Sequence, residues 1–287
     1  MNSHASINRA YRLVWSQVHQ TWVAVAEIAK ARGKSAGSRK LLTVAVFTAL
    51  EQSTPQLQVN WSSFNVAPQE TVNFVQPSAT AVAINRIYSN DGSQILGHLN
   101  ANGQIYLINP NGILFGAGSQ VNVGGLVAST LDLNNATLWG NSQKFSGNGT
   151  GSVVNQGTIT AAEGGYVALL GNKVSNQGVI VAKLGTVAMG AGNAATLTFG
   201  GDRLVSLQVD QSTLNNLAAN GGLIRADGGT VLMTAGAKDA LLASVVNNTG
   251  VVQAQTVENK NGTIVLGAGM QAGAVQVGGK LDASAPN

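Results

Sequence analysis

The sequence predicts an all-β protein built as a right-handed parallel β-helix, or solenoid, with hairpins that project outside the helix. An Asn-x-Gly motif followed by alternating apolar residues recurs after residue 150. A second short strand that begins with Gly follows each copy, and a repeat of about twenty residues with two or three short strands is typical of a β-solenoid. The composition agrees, because 36 of the 287 residues are Gly, only 10% are charged and only 5% are aromatic.

The copies of the motif define the predicted coils. Alternating apolar residues would point one face of each strand inward, and stacked coils would bury that face. Gly is expected at the corners because it adopts positive φ, and the matched Asn side chains are expected to hydrogen-bond from coil to coil as a ladder. The motif copies begin at Asn155, Asn176, Asn220 and Asn248, and the second strands begin at Gly165, Gly185, Gly229 and Gly262.

Two stretches depart from the regular repeat. Gly178 and Gly222 are 44 residues apart, roughly two periods, so we expect one more coil there with an extra hairpin formed by residues 195–199 and 204–209. Residues 239–246 could form one or two helical turns at a corner. The ending at residues 285–287 lacks an obvious polar cap, so the coils of residues 151–287 are expected to continue in a longer protein.

The first 50 residues predict an extended signal peptide that precedes the β-helix. Residues 1–40 are polar and basic, and residues 41–50 form a largely apolar run. Such a run is too short to span a membrane but long enough for the h-region of a signal peptide. Cleavage is expected near Ala49, which gives a signal peptide of residues 1–49. The alternative is an amphipathic N-terminal helix followed by a buried strand.

The positive charge of the chain belongs to this leader. The formal net charge is +4, yet the first 50 residues hold seven basic residues and one acid, and the other 237 hold nine basic and eleven acidic residues. The body therefore has no basic excess, which argues against nucleic-acid binding. There are no cysteines, as suits a chain that stays unfolded in an oxidising periplasm. No stable membrane span is predicted.

The most informative local signal is a tetrad between two apolar runs, Asn109-Pro110-Asn111-Gly112. It predicts a tight type I turn, because Asn caps the first position, Pro sets φ at the second and Gly suits the fourth. A turn between two strands is common, so its meaning depends on the surrounding passage.

That passage closely resembles the secretion domain of the two-partner secretion exoproteins, the filamentous haemagglutinin-like family. The similarity is carried by residues 61–66 (Trp-Ser-Ser-Phe-Asn-Val), 72–78, 95–103 and 124–130. Residues 11–15 and 22–27 resemble the extended signal-peptide region of large exported Gram-negative proteins. The resemblance implies an extended signal peptide at 1–50, the N-terminal part of a secretion domain at 51–150 and β-helix coils at 151–287.

The resemblance also implies a function. The leader would direct Sec export, and a cognate outer-membrane β-barrel transporter would recognise the domain in the periplasm. The secreted protein would act in adhesion or haemagglutination at the cell surface, with host-cell surface glycans or proteins as ligands, or would display a C-terminal toxin encoded beyond residue 287. In this family a segment of the Asn-Pro-Asn-Gly type serves recognition, which assigns partner binding to Asn109, Pro110, Asn111 and Gly112. The alternative is that the tetrad is a turn that sets the register of the fold.

The sequence predicts no enzyme, cofactor or metal site. β-Helix polysaccharide hydrolases and lyases need clustered catalytic groups, and Gly-Gly-x-Gly-x-Asp calcium repeats are absent. His98 is the only histidine beyond the leader. The acids share no repeat position; they include Asp91, Asp132, Glu163, Asp202, Asp210, Asp227 and Asp239.

Two other interpretations stay open. One is a carbohydrate-active β-helix enzyme that uses Asp202 or Asp227. The other is a degenerate, non-secreted remnant, because only residues 51–60 separate the apolar run from Trp61, and relatives have a longer segment there. The first strands of the domain, which cap its end, are therefore expected to be missing or shortened.

Overall fold

The computed structural model describes residues 9–16, 21–28, 46–201, 203–211, 216–236, 246–268 and 273–285. Most of this length winds into a parallel β-helix with three faces, which confirms the predicted fold. A regular coil contributes a short strand to each face, and each strand pairs in parallel with the strands of the neighbouring coils.

The strands of each face follow one another in chain order. The first face contains β3 (Val46–Glu51), β5 (Glu70–Val75), β8 (His98–Ala101), the start of β11 (Gln120–Ser129), the start of β15 (Thr158–Gly171), β17 (Val179–Val181), β22 (Leu223–Arg225), β25 (Val251–Gln253) and β28 (Lys280–Asp282). The second face contains β4 (Gln56–Trp61), β6 (Val82–Ile87), β9 (Gln104–Ile108), the ends of β11 and β15, β18 (Thr186–Ala191), β23 (Thr230–Ala235) and β26 (Thr263–Ala268). The third face contains β7 (Ser93–Ile95), β10 (Ile113–Phe115), β14 (Ser152–Asn155), β16 (Lys173–Asn176), β21 (Leu217–Asn220), β24 (Val246–Asn248) and β27 (Val275–Val277).

Rows of aliphatic side chains fill the interior of the helix. On the first face, each member of one row lies in register with the next, and all are fully buried. A buried side chain of this size contributes about 2 kcal/mol relative to an exposed one. Each coil is therefore stabilised by the neighbouring coils that bury its aliphatic side chains. The row consists of Leu99, Val121, Ile159, Ile180, Ile224 and Val252.

The predicted asparagine ladder is confirmed. Asn155, Asn176, Asn220 and Asn248 are fully buried, each at the last position of a third-face strand. The Nδ2 atom of each of the first three donates to Oδ1 of the next, at 2.8, 2.8 and 2.7 Å. Each Nδ2 also donates to the carbonyl of the Gly two residues later. The ladder thus satisfies buried polar groups while it joins successive coils.

The repeated glycines are needed for a different reason from the predicted one. Positive φ occurs at Gly112, Gly118, Gly164, Gly201 and Gly228 among the described glycines, and none of these is a repeat position. At the repeat positions the backbones of adjacent coils approach too closely for a Cβ atom. A Cβ on Gly178, Gly222 or Gly250 would lie 2.1–2.2 Å from the carbonyl oxygen of the equivalent Gly in the preceding coil.

The long interval between Gly178 and Gly222 holds a hairpin but no further coil. β16 pairs directly with β21, and β17 with β22, so the predicted extra coil is wrong. The predicted hairpin is confirmed as β19 (Ala194–Gly200) and β20 (Arg203–Gln211), which pair antiparallel. The Asn176–Asn220 hydrogen bond leaves no space for another coil between them. Residues 239–245, where helical turns were considered, lie outside the described residues.

This hairpin belongs to an antiparallel sheet, the outer sheet, that covers part of the second face. Its other strands are β12 (Asp132–Leu133) and β13 (Ser142–Ser146), linked by a 3₁₀ helix at Asn135–Thr137. A second hydrophobic cluster fills the space between the two layers. The buried Arg86 fastens them, because its Nε lies 3.0 Å from Asp132 Oδ1 and its Nη2 donates to the Leu133 carbonyl.

The beginning of the solenoid overlaps the predicted signal peptide. β3 pairs in register with β5, and Leu50 joins the core. The structure also has strands β1 (Arg9–Ser16) and β2 (Thr21–Ile28), not a helix, in the leader. They pair antiparallel with each other, and β2 runs parallel to β4. Within the described part of the chain, no helix has both the length and the apolar character to cross a membrane.

Candidate functional site

The Asn109–Gly112 tetrad turns the chain from the second face to the third face, between β9 and β10. The Gly112 N–H donates to the Asn109 carbonyl at 3.0 Å, so the predicted tight turn is confirmed. Gly112 has a φ of +117°, a conformation that favours Gly. The turn is a corner of the solenoid and not the tip of a hairpin.

Asn109 is buried inside this corner. Its Oδ1 accepts the Asn111 N–H at 3.0 Å, and its Nδ2 donates to the Asp91 carbonyl at 3.1 Å and to Ser93 Oγ at 3.0 Å. Its exposed fraction is 0%. Asn109 therefore ties the turn to the preceding coil and offers nothing to a partner.

Pro110 and Asn111 are the exposed part of the tetrad. Asn111 Nδ2 donates to the Ser89 carbonyl at 2.7 Å, which holds the turn against the loop of the preceding coil. On the other side, a Cβ on Gly151 would lie 2.3 Å from the Gly112 nitrogen, so the next coil packs closely beneath. The tetrad is thus a rigid corner with two solvent-facing residues.

A cleft of about 880 Å³ adjoins this corner at the N-terminal end of the third face. Residues 63–68 form one wall, where Val66 makes an isolated parallel bridge to Ile95. The half-buried side chains Leu114 and Val154, on neighbouring third-face strands, form part of the opposite wall. The cleft is thus mostly apolar, and Asn111 and Gly112 lie among its lining residues.

The charge of the cleft is negative. Glu70 and Asp91 line it, and no Lys or Arg is found among its described lining residues. The Glu70 carboxylate accepts the Ala67 N–H at 2.8 Å, which fixes it beside the wall of residues 63–68. This combination suits an apolar segment that carries basic residues.

Sequence reasoning identified the turn but not the cleft. Residues 61–66 were singled out for their resemblance, and the structure brings them to the same site as the tetrad. Leu114 and Val154 were missed, because each directly follows another apolar residue, so strict alternation does not show which of the two faces outward. Only the register of the third face shows that such a residue points outward.

The acidic residues considered as catalytic groups lie in structural or exposed positions. Asp132 pairs with Arg86, and Asp227 pairs with Arg225 at 2.9 Å and accepts a hydrogen bond from Gln253. Asp202 and Asp239 lie outside the described residues. Among the residues that the structure describes, no three His, Cys, Asp or Glu side chains group as metal ligands. His98 lies in β8, between Thr71 and Gln120 on the first face.

The geometry defines the class as a parallel β-helix domain with a closely packed polar corner and an outer sheet, preceded by a basic leader. Comparison with known families identifies it further: a model described as the TPS secretion domain matches residues 42–281, and one described as the extended signal peptide of the type V secretion system matches residues 8–55. The chain belongs to the TPS, or two-partner secretion, domain family. These two matches indicate export by the signal peptide and secretion across the outer membrane.

Relatives agree with this assignment. Two proteins of Haemophilus influenzae named heme/hemopexin-binding protein are each 34% identical, over 86% and 79% of this chain. The chain spans only 28% and 26% of their lengths. The crystal structure of the HMW1 secretion domain from Haemophilus influenzae is 30% identical with a TM-score of 0.72, covering 86% of this chain and 63% of that one.

Proposed function

We propose that a cognate outer-membrane transporter recognises this domain in the periplasm through the corner at Pro110–Asn111 and the adjoining cleft. The observation that carries the proposal is that the exposed Asn111 lines an apolar, acidic cleft, with Pro110 next to it in the turn. A partner segment with apolar and basic side chains would match both properties. Asn109 and Gly112 then act as positioning residues, because they hold the corner in shape.

Signal-peptide cleavage would add a second element of recognition. Removal of residues 1–49 takes away most of β3, which pairs with β5 in the uncleaved chain. The backbone of residues 70–73 would then become a free edge on the first face. A free edge can accept an added strand from a partner, a common mode of peptide recognition.

Secretion assays can test this role of the corner. The chain is expressed with and without a cognate-type transporter, and the mature protein in the medium is quantified for Asn111→Ala, for Asn109→Ala and for the double variant. We expect Asn111→Ala to lower secretion several-fold while it lowers the free energy of unfolding by only about 1 kcal/mol, since its side chain is exposed and makes one hydrogen bond, to the Ser89 carbonyl. Asn109→Ala should lower both secretion and the stability of the folded domain, because the Asn109 side chain is buried and makes three hydrogen bonds.

The matched control is Asn247→Ala, a partly exposed Asn on the same face but far along the chain. It should be secreted normally. Normal secretion of the double variant Asn109→Ala/Asn111→Ala would refute the recognition role and leave the tetrad as a turn only. Retention of the unaltered full-length chain in the cell, even with the transporter, would instead support the non-secreted remnant.

After secretion, we infer a role in surface binding, either adhesion or haemagglutination. Host-cell surface glycans or proteins would be the ligands. The names of the two relatives suggest a second candidate, capture of heme or hemopexin, which belongs to proteins more than three times as long as the matched region. Binding of the secreted chain to erythrocytes, compared with its retention on immobilised hemopexin, separates the two roles.

A further inference from the structure

A second cleft, distinct from the one at the Asn109–Gly112 corner, lies between the second face and the outer sheet. It has a volume of about 510 Å³, within the range of small-molecule sites. Val82 and Tyr106 of the second face form its floor, and Phe199 and the loop at residues 139–141 belong to the outer layer. The buried layer between the two sheets holds it in place, because Phe199 packs edge-on against Tyr166 at 5.3 Å.

Trp139 supplies an aromatic surface in this cleft. Its side chain is 42% exposed, although Trp is seldom left in solvent by a packed domain. An indole that is partly buried and partly open can stack on the apolar C–H face of a ring and still donate its N–H. The Trp139 indole is thus an aromatic surface in the cleft that is accessible to a ligand.

Most polar side chains of the cleft are amides, and the hydroxyl groups of Thr80 and Tyr106 accompany them. Gln56, Gln104, Asn141 and Gln143 line it, and an amide offers both donors and an acceptor. Gln143 is only 7% exposed; its Nε2 donates to the Leu138 carbonyl at 3.3 Å and its side chain also hydrogen-bonds with the Tyr106 phenol, while its Oε1 has no hydrogen-bond partner among the described residues. A buried acceptor without a partner is costly unless a ligand or water satisfies it.

The lining carries no formal charge. Among the residues that the structure describes, it includes no Asp, Glu, Lys or Arg. Burial raises the pKa of Tyr106 to about 12, so this phenol stays neutral at physiological pH. A charged ligand would find no counter-ion among these residues, whereas hydroxyl groups would find donors and acceptors.

From this combination of an open indole, four amides and a neutral lining, we propose that the cleft binds a neutral saccharide, with a sugar ring stacked on Trp139 and its hydroxyls bonded to the amides. The inference deepens the adhesion part of the proposed function and rests on it, because it assigns a glycan ligand to this domain. It does not depend on recognition by the transporter.

The test uses the protein secreted into the medium and two neutral probes, N-acetyllactosamine for animal glycans and chitobiose for bacterial wall-type sugars. Saturation-transfer NMR titration gives the affinity, and the emission of Trp139 reports its environment, since Trp61 is buried and hydrogen-bonded to Asn85. We expect saturable binding with a Kd of about 1 mM or tighter and a blue shift of the emission. The probe that binds more tightly identifies the source of the glycan.

Variants show whether binding uses the cleft. Trp139→Ala should weaken binding by about tenfold or more, a loss of ~1.4 kcal/mol. Gln143→Leu should weaken it also, while the free energy of unfolding stays close to that of the unaltered chain. The control Tyr88→Ala removes an aromatic residue elsewhere that is more exposed than Trp139, at 67% against 42%, and should leave binding unchanged.

Secretion of each variant is quantified in parallel, so that a failure of transport is distinguished from a failure of binding. Absence of saturable binding of both probes to the secreted protein would overturn the saccharide site. Equal weakening by Tyr88→Ala and Trp139→Ala would overturn it too, because the contact would then not be specific to the cleft. Stronger binding of sialyllactose than of either neutral probe would contradict the neutral character assigned to the ligand.

Discussion

At the scale of single residues, Gly222 tests why glycine recurs at the coil corners. Its φ is not positive, but a Cβ would lie 2.1 Å from the Gly178 carbonyl oxygen. We expect Gly222→Ala to lower the free energy of unfolding by about 3 kcal/mol or more, because backbone must move in two coils. Urea unfolding followed by circular dichroism measures the change.

The matched control is Gly118→Ala. Gly118 has a φ of +86° and open space around the position of a Cβ, so this change should cost only about 1–2 kcal/mol. If Gly118→Ala proved the more harmful of the two, positive φ and not close approach would be the reason for glycine in this fold.

The asparagine ladder allows a second prediction at this scale, on the stability cost of replacing single ladder residues. Asn176 both accepts from Asn155 and donates to Asn220, so Asn176→Ala leaves buried groups of two coils unpaired and should cost about 2–3 kcal/mol. Asn248, at the end of the ladder, accepts from Asn220 and donates only to the Gly250 carbonyl, so its replacement by Ala should cost less. Equal costs at both positions, measured by urea unfolding, would show that the ladder does not act through its internal bonds.

The repeat positions of the asparagines and glycines could be predicted from the sequence. The 21-residue spacing of Asn155 and Asn176 predicts that they stack, and they do. The structural reason for the repeated glycines could not be predicted from the sequence. The close approach of two backbones depends on the distance between coils and not on local conformation. The same limit applies to Gln143, whose unpaired oxygen depends on contacts that the outer sheet makes.

At the scale of elements, the outer sheet is an addition to the solenoid and not a part of it. Leu197 of β19 is fully buried between the outer sheet and the second face. Leu197→Ala should cost about 2–4 kcal/mol, and the loss should be confined to the hairpin, because the coils beneath pair with each other directly. Hydrogen exchange should therefore accelerate in residues 203–211 and stay unchanged in residues 223–225.

The exposed Val205 on the paired strand provides the control for this change, since its side chain is 56% exposed. Val205→Ala should leave exchange in both regions unaltered. Faster exchange in residues 223–225 of the Leu197→Ala variant would mean that the outer sheet supports the coils.

The pairing of the outer sheet could not be predicted from sequence. A hairpin was expected in the interval after Gly178, but its partner β13 lies about 50 residues earlier in the chain and carries no repeat signal. Antiparallel pairing over such a distance is fixed by the apolar patch on the second face, around Tyr106 and Tyr166. That patch becomes visible only when the coils are stacked.

At the scale of the whole molecule, the solenoid is a one-dimensional stack in which each coil contacts mainly its neighbours. In such a stack the C-terminal coils can unfold while the N-terminal coils stay folded. The reason is that the free energy of unfolding is nearly a sum of one contribution from each coil and one from each interface between coils. This property suits a chain that crosses the outer membrane unfolded and folds outside, since coils can form one after another as they emerge.

A buried charge in the middle of the stack tests this picture. Ile224 is fully buried between Ile180 and Val252, and Ile224→Lys places an ammonium group where desolvation costs several kcal/mol. We expect residues after 222 to unfold while the coils before residue 192 stay folded, so that limited proteolysis with mass spectrometry yields a stable N-terminal fragment. The control Arg225→Lys changes an exposed neighbour in the same strand and should leave the chain resistant to limited proteolysis. Loss of the N-terminal fragment as well would show one cooperative unit, and folding coil by coil during secretion would then have no basis in the energetics of this domain.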